Sequence, residues 1–142
     1  MRKHGIAILF LQETKISQDY QDNRATHTWY FSGSSKTRDT AVFEAGVAVV
    51  VQNKFVKHIT EVVPWTDRII SITLQAAMPL TFIGAYAVPA KSTDKTQAES
   101  AKLRSEKDSF YETLQEVYTT FSKIGPTHIM GDMNARVGSF SL

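Results

Sequence analysis

The 142-residue sequence contains no cysteine. Disulfides and thiolate metal sites are therefore excluded, and any metal must be held by oxygen or imidazole. The same absence is consistent with an intracellular protein. Neither sign of charge dominates: 16 Lys and Arg stand against 14 Asp and Glu, a net charge of +2. A sequence pI near 8.9 is only mildly basic, whereas a dedicated nucleic-acid binder shows a clustered basic face. Residues 91–108 carry five Lys/Arg and four Asp/Glu. That mixture reads as a solvated helix surface rather than a phosphate track. No apolar run is long enough to span a bilayer. The start, "MRKHGIAILFLQETK", has the basic-then-apolar profile of a signal peptide. Gln12, Glu13 and Thr14 follow at once, however, without a small-residue cleavage site. There is no Walker-type glycine loop and no nucleophile elbow. The four histidines, His4, His27, His58 and His128, show no metal-ligand spacing.

What is present is ordinary globular composition, 42% hydrophobic and 21% charged. A single domain of this length buries roughly 70% of its unfolded surface. Residues 6–11, "IAILFL", predict a strand buried on both faces. "THTWYFSG" predicts another, and "SSKTRDTAVFEAG" a loop. "GVAVVVQNKFVKHITEVVP" reads as two strands joined around Gln52, Asn53 and Lys54, the second ended by Pro64. "RIISITL" alternates with period two, and "TFIGAYAV" is closed by Pro89. A polar linker leads to a helix from about Ala98 to Lys123. Its apolar face is Leu103, Phe110, Leu114, Val117, Tyr118 and Phe121. Gly125 and Pro126 stop it. "THIMGDMN" is the last strand, running into a turn at Asn134 to Gly138. The expectation is an α+β sandwich of mostly antiparallel strands with one long packed helix.

Four residues are candidates for chemistry. Glu13 follows the first strand at its carboxyl end, where ligands bind in open α/β sheets; a cap or solvated turn residue is the alternative. Asp132 and Asn134 are two apart, so on a strand they share a face, and Gly131 before them permits close approach. An Asp holds or polarises water, and an Asn orients a phosphate without adding negative charge. An Asx turn closing the strand is the competing reading. Tyr86 ends its strand, where a phenol could donate to a phosphate oxygen or simply sit at the core rim. Arg68 could neutralise phosphate, but a structural ion pair or strand-edge charge is the plainer reading. His128 belongs to the entry end of its strand, more than 10 Å from Asp132 at ~3.3 Å per residue, and has no assigned role.

"LQETK" after a strand, "GVAVVV", "RIISITL", "GAYAVP", a long helix and "IMGDMNARVG" occur in an order that resembles the endonuclease/exonuclease/phosphatase superfamily, the DNase I-like fold. The resemblance is nearest to the endonuclease domains of non-LTR retrotransposons and the craniofacial development protein 2-like sequences. It implies Mg²⁺-dependent (alternatively Mn²⁺-dependent) hydrolysis of phosphodiester bonds in DNA, with the nucleus as the place of action. Glu13 matches the metal-binding Glu, Asp132 the residue that aligns the attacking water, Asn134 the residue that orients that group, and Tyr86 the active-site Tyr. Val88 between Ala87 and Pro89 departs from the usual Tyr-Ala-Pro. The resemblance further implies a preceding strand bearing an Asn and a second half ending in Ser-Asp-His, neither of which is in these 142 residues. The chain is therefore expected to be a partial, incomplete DNase I-like domain, poorly stable and little active alone. Two alternatives stand beside the nuclease: a non-catalytic relic or domesticated nucleic-acid-binding module, and a phosphomonoesterase of the same superfamily.

Overall fold

Val47–Gln52 (β4) contains four valines, and every one of its six positions is buried. Such a strand needs apolar cover on both faces and a strand on each side. A computed structural model, which describes residues 5–33, 45–89 and 96–135, supplies them. β4 pairs antiparallel with Ile8–Leu11 (β1) and with His27–Ser32 (β3). Tyr20–Asn23 (β2) completes a first sheet of order β1-β4-β3-β2. A second sheet, order β5-β6-β7-β8, is built from Ile59–Thr66, Ile69–Leu74, Leu80–Tyr86 and Thr127–Asp132. The chain is mixed α+β, and every strand pair is antiparallel except β7–β8.

The two sheets pack face to face. Val47, Val49 and Val51 of β4 meet Ile70 and Ile72 of β6 and Tyr86 of β7, with Ile8, Phe10 and Tyr30 packed around them. Burying a Val or Ile side chain contributes about 1.5–3 kcal/mol, so this cluster is a main source of stability. The other face of the second sheet carries Ile69, Ile83 and Ala85, and is covered by Gln97–Ser122 (α2) through Phe110, Leu114, Val117 and Phe121. Spacings of four, three and four residues put those side chains on one stripe. Tyr118, which sequence periodicity places on that stripe, is instead 42% exposed.

α2 is the crossover that a parallel pair requires. Its start is fixed by a capping box: Glu99 N donates to Thr96 Oγ1 at 3.3 Å, and Thr96 N donates to Glu99 Oε2 at 2.9 Å. Its end is closed by Ile124 N and Gly125 N donating to Phe121 O. The return into β8 aligns Tyr86 with Asp132. Among the described residues, no helix is long and apolar enough to cross a membrane.

Several local features differ from what the sequence suggests. β1 is only half-buried along its length, because it is an edge strand with β4 on one side alone. β5 runs through Pro64 to Thr66; it too is an edge strand, where a missing N–H need not break a ladder. β2, "YQDN", is too polar to read as a strand and exists because β3 templates it. Between β4 and β5 the chain forms a single helical turn, Asn53–Val56 (α1). Most of the loop expected at 34–46, most of the linker before α2, and the chain beyond Ala135 lie outside the described residues.

Candidate active site

The site lies where four pieces of chain meet at one end of the sandwich. Tyr86 and Asp132 are the last residues of β7 and β8, side by side in register. Ala87 N extends the ladder by donating to Asp132 O at 2.9 Å. Gly131 sits at φ +146°, and a Cβ there would run into Ala85 O. Only glycine lets β8 approach β7 closely enough to set this register.

Beyond Asp132 the chain leaves the strand. Asn134 is held at φ +47°, and its N–H donates to Asp132 Oδ1 at 2.8 Å. This is the Asx turn weighed as the competing reading, so the shared-face argument for the two residues does not apply. What joins them is the turn itself. Asn134 Nδ2 donates to Ala87 O at 2.7 Å, which fixes the plane of the amide and leaves its oxygen free to accept. Asp132 keeps one carboxylate oxygen without a partner among the described residues.

Glu13 comes from the other sheet. The loop after β1 is tied to the segment before β4 by Thr14 N to Gly46 O and Lys15 N to Ala45 O, both 3.0 Å. Gly46, at φ +109°, permits this: a Cβ there would strike Thr14 Oγ1. Gly46 N in turn donates to Asp67 O at 2.8 Å, which anchors the loop to the β5–β6 turn. Glu13 itself is at φ +54° and exposed, and its Oε1 accepts the Tyr86 hydroxyl at 2.7 Å. The phenol thus bonds to the carboxylate while its ring sits in the core, which is the core-rim alternative of the two expectations for this residue.

Tyr86 is 4% exposed. Burial pushes its phenol above the ordinary value, and the hydrogen bond and charge of Glu13 push it further, while the charge of Arg68 and its approach to the phenol act in the opposite sense. The phenol is therefore a neutral donor at physiological pH. Arg68 lies over the Tyr86 ring, its guanidinium carbon 5.0 Å from the centroid.

The backbone singles out the same residues. Glu13, Lys15 and Asn134 are the three non-glycine residues with positive φ among those described. Two of the three are site candidates. Left-handed backbone at ordinary residues costs of order 1–3 kcal/mol and persists where the surroundings impose it, often at functional sites. Thr14 adds a further anomaly, since its Oγ1 is buried without a hydrogen-bond partner. Neither signal is visible in sequence. His128 stacks on Phe82 near the opposite end of β8, away from the site as expected.

No protein-family model and no curated protein matches this chain. The functional reading therefore rests on the motif order and on this geometry.

Glu13 and Asp132 are the hard oxygen donors available. Among the described residues, no group of three or more His, Cys, Asp or Glu side chains is clustered for a metal. Mg²⁺ does not require one, because it binds through one or two carboxylates and keeps several waters. Glu13, exposed and with one oxygen left over, fits that role. A hollow of about 650 Å³ runs along the polar face of α2 and is lined by none of these residues. A cleft of about 330 Å³ opens beside Arg68, between the β5–β6 turn and α2.

Proposed function

We propose that this chain carries the metal-binding and water-orienting side of a Mg²⁺-dependent DNA endonuclease site of DNase I-like type. The observation that carries the reading is the hydrogen bond of Tyr86 to Glu13, next to the Asp132–Asn134 turn. It brings four motif residues from both sheets to one end of the fold.

Glu13 would hold the ion, and Tyr86 fixes one of its oxygens. A bound Mg²⁺ would supply charge stabilisation to the phosphoryl group and the leaving 3′ oxygen. The free oxygen of Asp132 accepts a proton from the attacking water as the water adds to phosphorus and the P–O3′ bond breaks. Asn134, its amide plane set by Ala87 O, orients that carboxylate through its backbone N–H and offers its side chain to the phosphate. The leaving 3′ oxygen takes its proton from water, and hydrolysis by this chain is expected to be slow. Acting on chromosomal DNA, it would work in the nucleus.

The test is nicking of supercoiled plasmid by the full chain. Slow, Mg²⁺-dependent nicking that disappears in Glu13→Gln and in Asp132→Asn is expected. Nicking that survives either substitution, or that proceeds in EDTA, overturns the assignment. A non-catalytic nucleic-acid-binding module is the second reading. It is favoured by the fact that Glu13, Asp132 and Asn134 all spend hydrogen bonds on the fold itself. DNA binding with no nicking at any Mg²⁺ concentration would select it.

A further inference from the structure

Arg68 reads in sequence as a phosphate-neutralising charge or, more plainly, as a structural ion pair or strand-edge charge, and the described residues show neither of the plainer two. The one ion pair among the described residues is Arg24 with Asp22. Asp67 and Glu106 line the same cleft as Arg68 without coming within ion-pair distance of it. The half-buried guanidinium instead lies over the Tyr86 ring, and Nη1 makes a long 3.5 Å contact with Tyr86 O. Its backbone is fixed to the same residue, since Arg68 O accepts from Tyr86 N at 2.9 Å. A permanent cation is thus seated on the phenol that bonds to Glu13, without an ion-pair partner among the described residues.

We propose that Arg68 is the phosphate-contacting residue of the site, donating to a non-bridging oxygen of a nucleic-acid phosphate at or beside the scissile bond. This rests on the nuclease reading and adds to it. Glu13 and Asp132 give the site an excess of negative charge that would repel a phosphodiester. An arginine there offsets the repulsion and presents a planar fork matched to phosphate oxygens. Stacking on the ring pre-orients that fork, so less side-chain freedom is lost on binding. Neighbouring Ser105, Ser109 and Thr113 supply hydroxyls along the cleft through which the strand would leave.

The test is DNA binding by the full chain in EDTA, read by fluorescence anisotropy of a labelled duplex oligonucleotide over a salt series. Arg68→Met keeps the apolar stem and removes the charge. It should weaken binding about tenfold and flatten the salt slope by about 0.9, the value for one phosphate contact. Arg68→Lys should keep the slope and lose a few-fold in affinity. A residue that merely braced Tyr86 would leave the slope unchanged, and that result overturns the proposal. So does a wild-type chain that binds no DNA. If Arg68→Met does not fold, phenylglyoxal modification of the wild type replaces it. DNA should protect Arg68, and equal modification with and without DNA overturns the proposal. Nicking with an unchanged slope would sink this inference alone, whereas a lost slope without nicking would sink only the nuclease reading.

Discussion

The hydroxyl of Tyr86 and the carboxylate of Glu13, 73 residues apart, share a 2.7 Å hydrogen bond that ties the second sheet to the loop leaving the first. Hydrogen bonds to charged groups contribute about 1.5–3 kcal/mol, but Glu13 is exposed, so about 1 kcal/mol is the fair expectation here. Tyr86→Phe keeps the ring in the core and should lower the melting temperature by roughly 3 °C. A double-mutant cycle with Glu13→Gln should return a coupling of about 1 kcal/mol. Tyr86→Phe alone also frees the Glu13 carboxylate to turn, so Mn²⁺ affinity, read by electron paramagnetic resonance, should fall roughly tenfold. Unchanged Mn²⁺ binding would separate the bridge from any metal role.

The strained backbone gives a second set of outcomes. Lys15, at φ +55°, is exposed, and only its N–H is used, by Ala45 O. Lys15→Gly relieves the left-handed strain without losing a bond and should stabilise the chain by about 0.5–1 kcal/mol. Asn134 is different because its side chain also holds Ala87 O. Asn134→Gly loses that bond but keeps the turn, whereas Asn134→Ala loses the bond and retains the strain. Urea titration should find the Ala variant about 1 kcal/mol the less stable. The reverse order would show that φ +47° at Asn134 is not what shapes the turn.

Much of this was legible in sequence. β4 and β6 were readable as Val- and Ile-rich runs, β7 as a mostly apolar run closed by Pro89, and α2 from the spacing of Phe110, Leu114, Val117 and Phe121 together with its Gly-Pro stop. The layered α+β arrangement follows from those alone. β2 was not legible, because a polar tetrapeptide pairs only when a neighbour offers it an edge. Within the site, Glu13, Tyr86, Asp132 and Asn134 could be named as candidates. The Asx turn of Asp132 and Asn134 was legible as a local alternative, whereas the bond of Tyr86 to Glu13 was not, since it depends on how the fold brings two distant strand ends together. For Arg68 the sequence favours an ion pair or a strand-edge charge over a phosphate contact, and the side chain instead lies over Tyr86.

Tyr30 and Tyr86 make stability sensitive to alkali. Burial pushes the Tyr30 phenol up, and burial followed by Glu13 pushes that of Tyr86 up, both above the unfolded value of about 10. A group whose folded pKa is raised contributes stability that is fully present below its unfolded pKa. That contribution is lost as pH rises through the folded pKa. The urea midpoint should therefore be flat with respect to these groups up to about pH 9 and decline above about pH 10. Tyr30→Phe should make the decline shallower. A wild-type midpoint that holds steady above pH 10 would mean that neither phenol is kept from ionising by the fold.

The last prediction concerns β8, which among the described residues pairs with β7 alone and is exposed at five of its six positions. Ile129 and Met130 project to opposite faces and stand 40% and 45% exposed. An open strand edge flanked by apolar side chains is a template for pairing with another chain. The protein should self-associate as its concentration rises, which sedimentation velocity would follow. Ile129→Lys with Met130→Lys places charge on both faces of that edge, a common natural device against such pairing. The double variant should remain monomeric where the wild type does not. Its melting temperature should barely change, because exposed substitutions away from special features stay within about 0.5 kcal/mol. Equal self-association in both proteins would move the sticky surface elsewhere, and the half-covered β1 edge of the first sheet would be the next to charge.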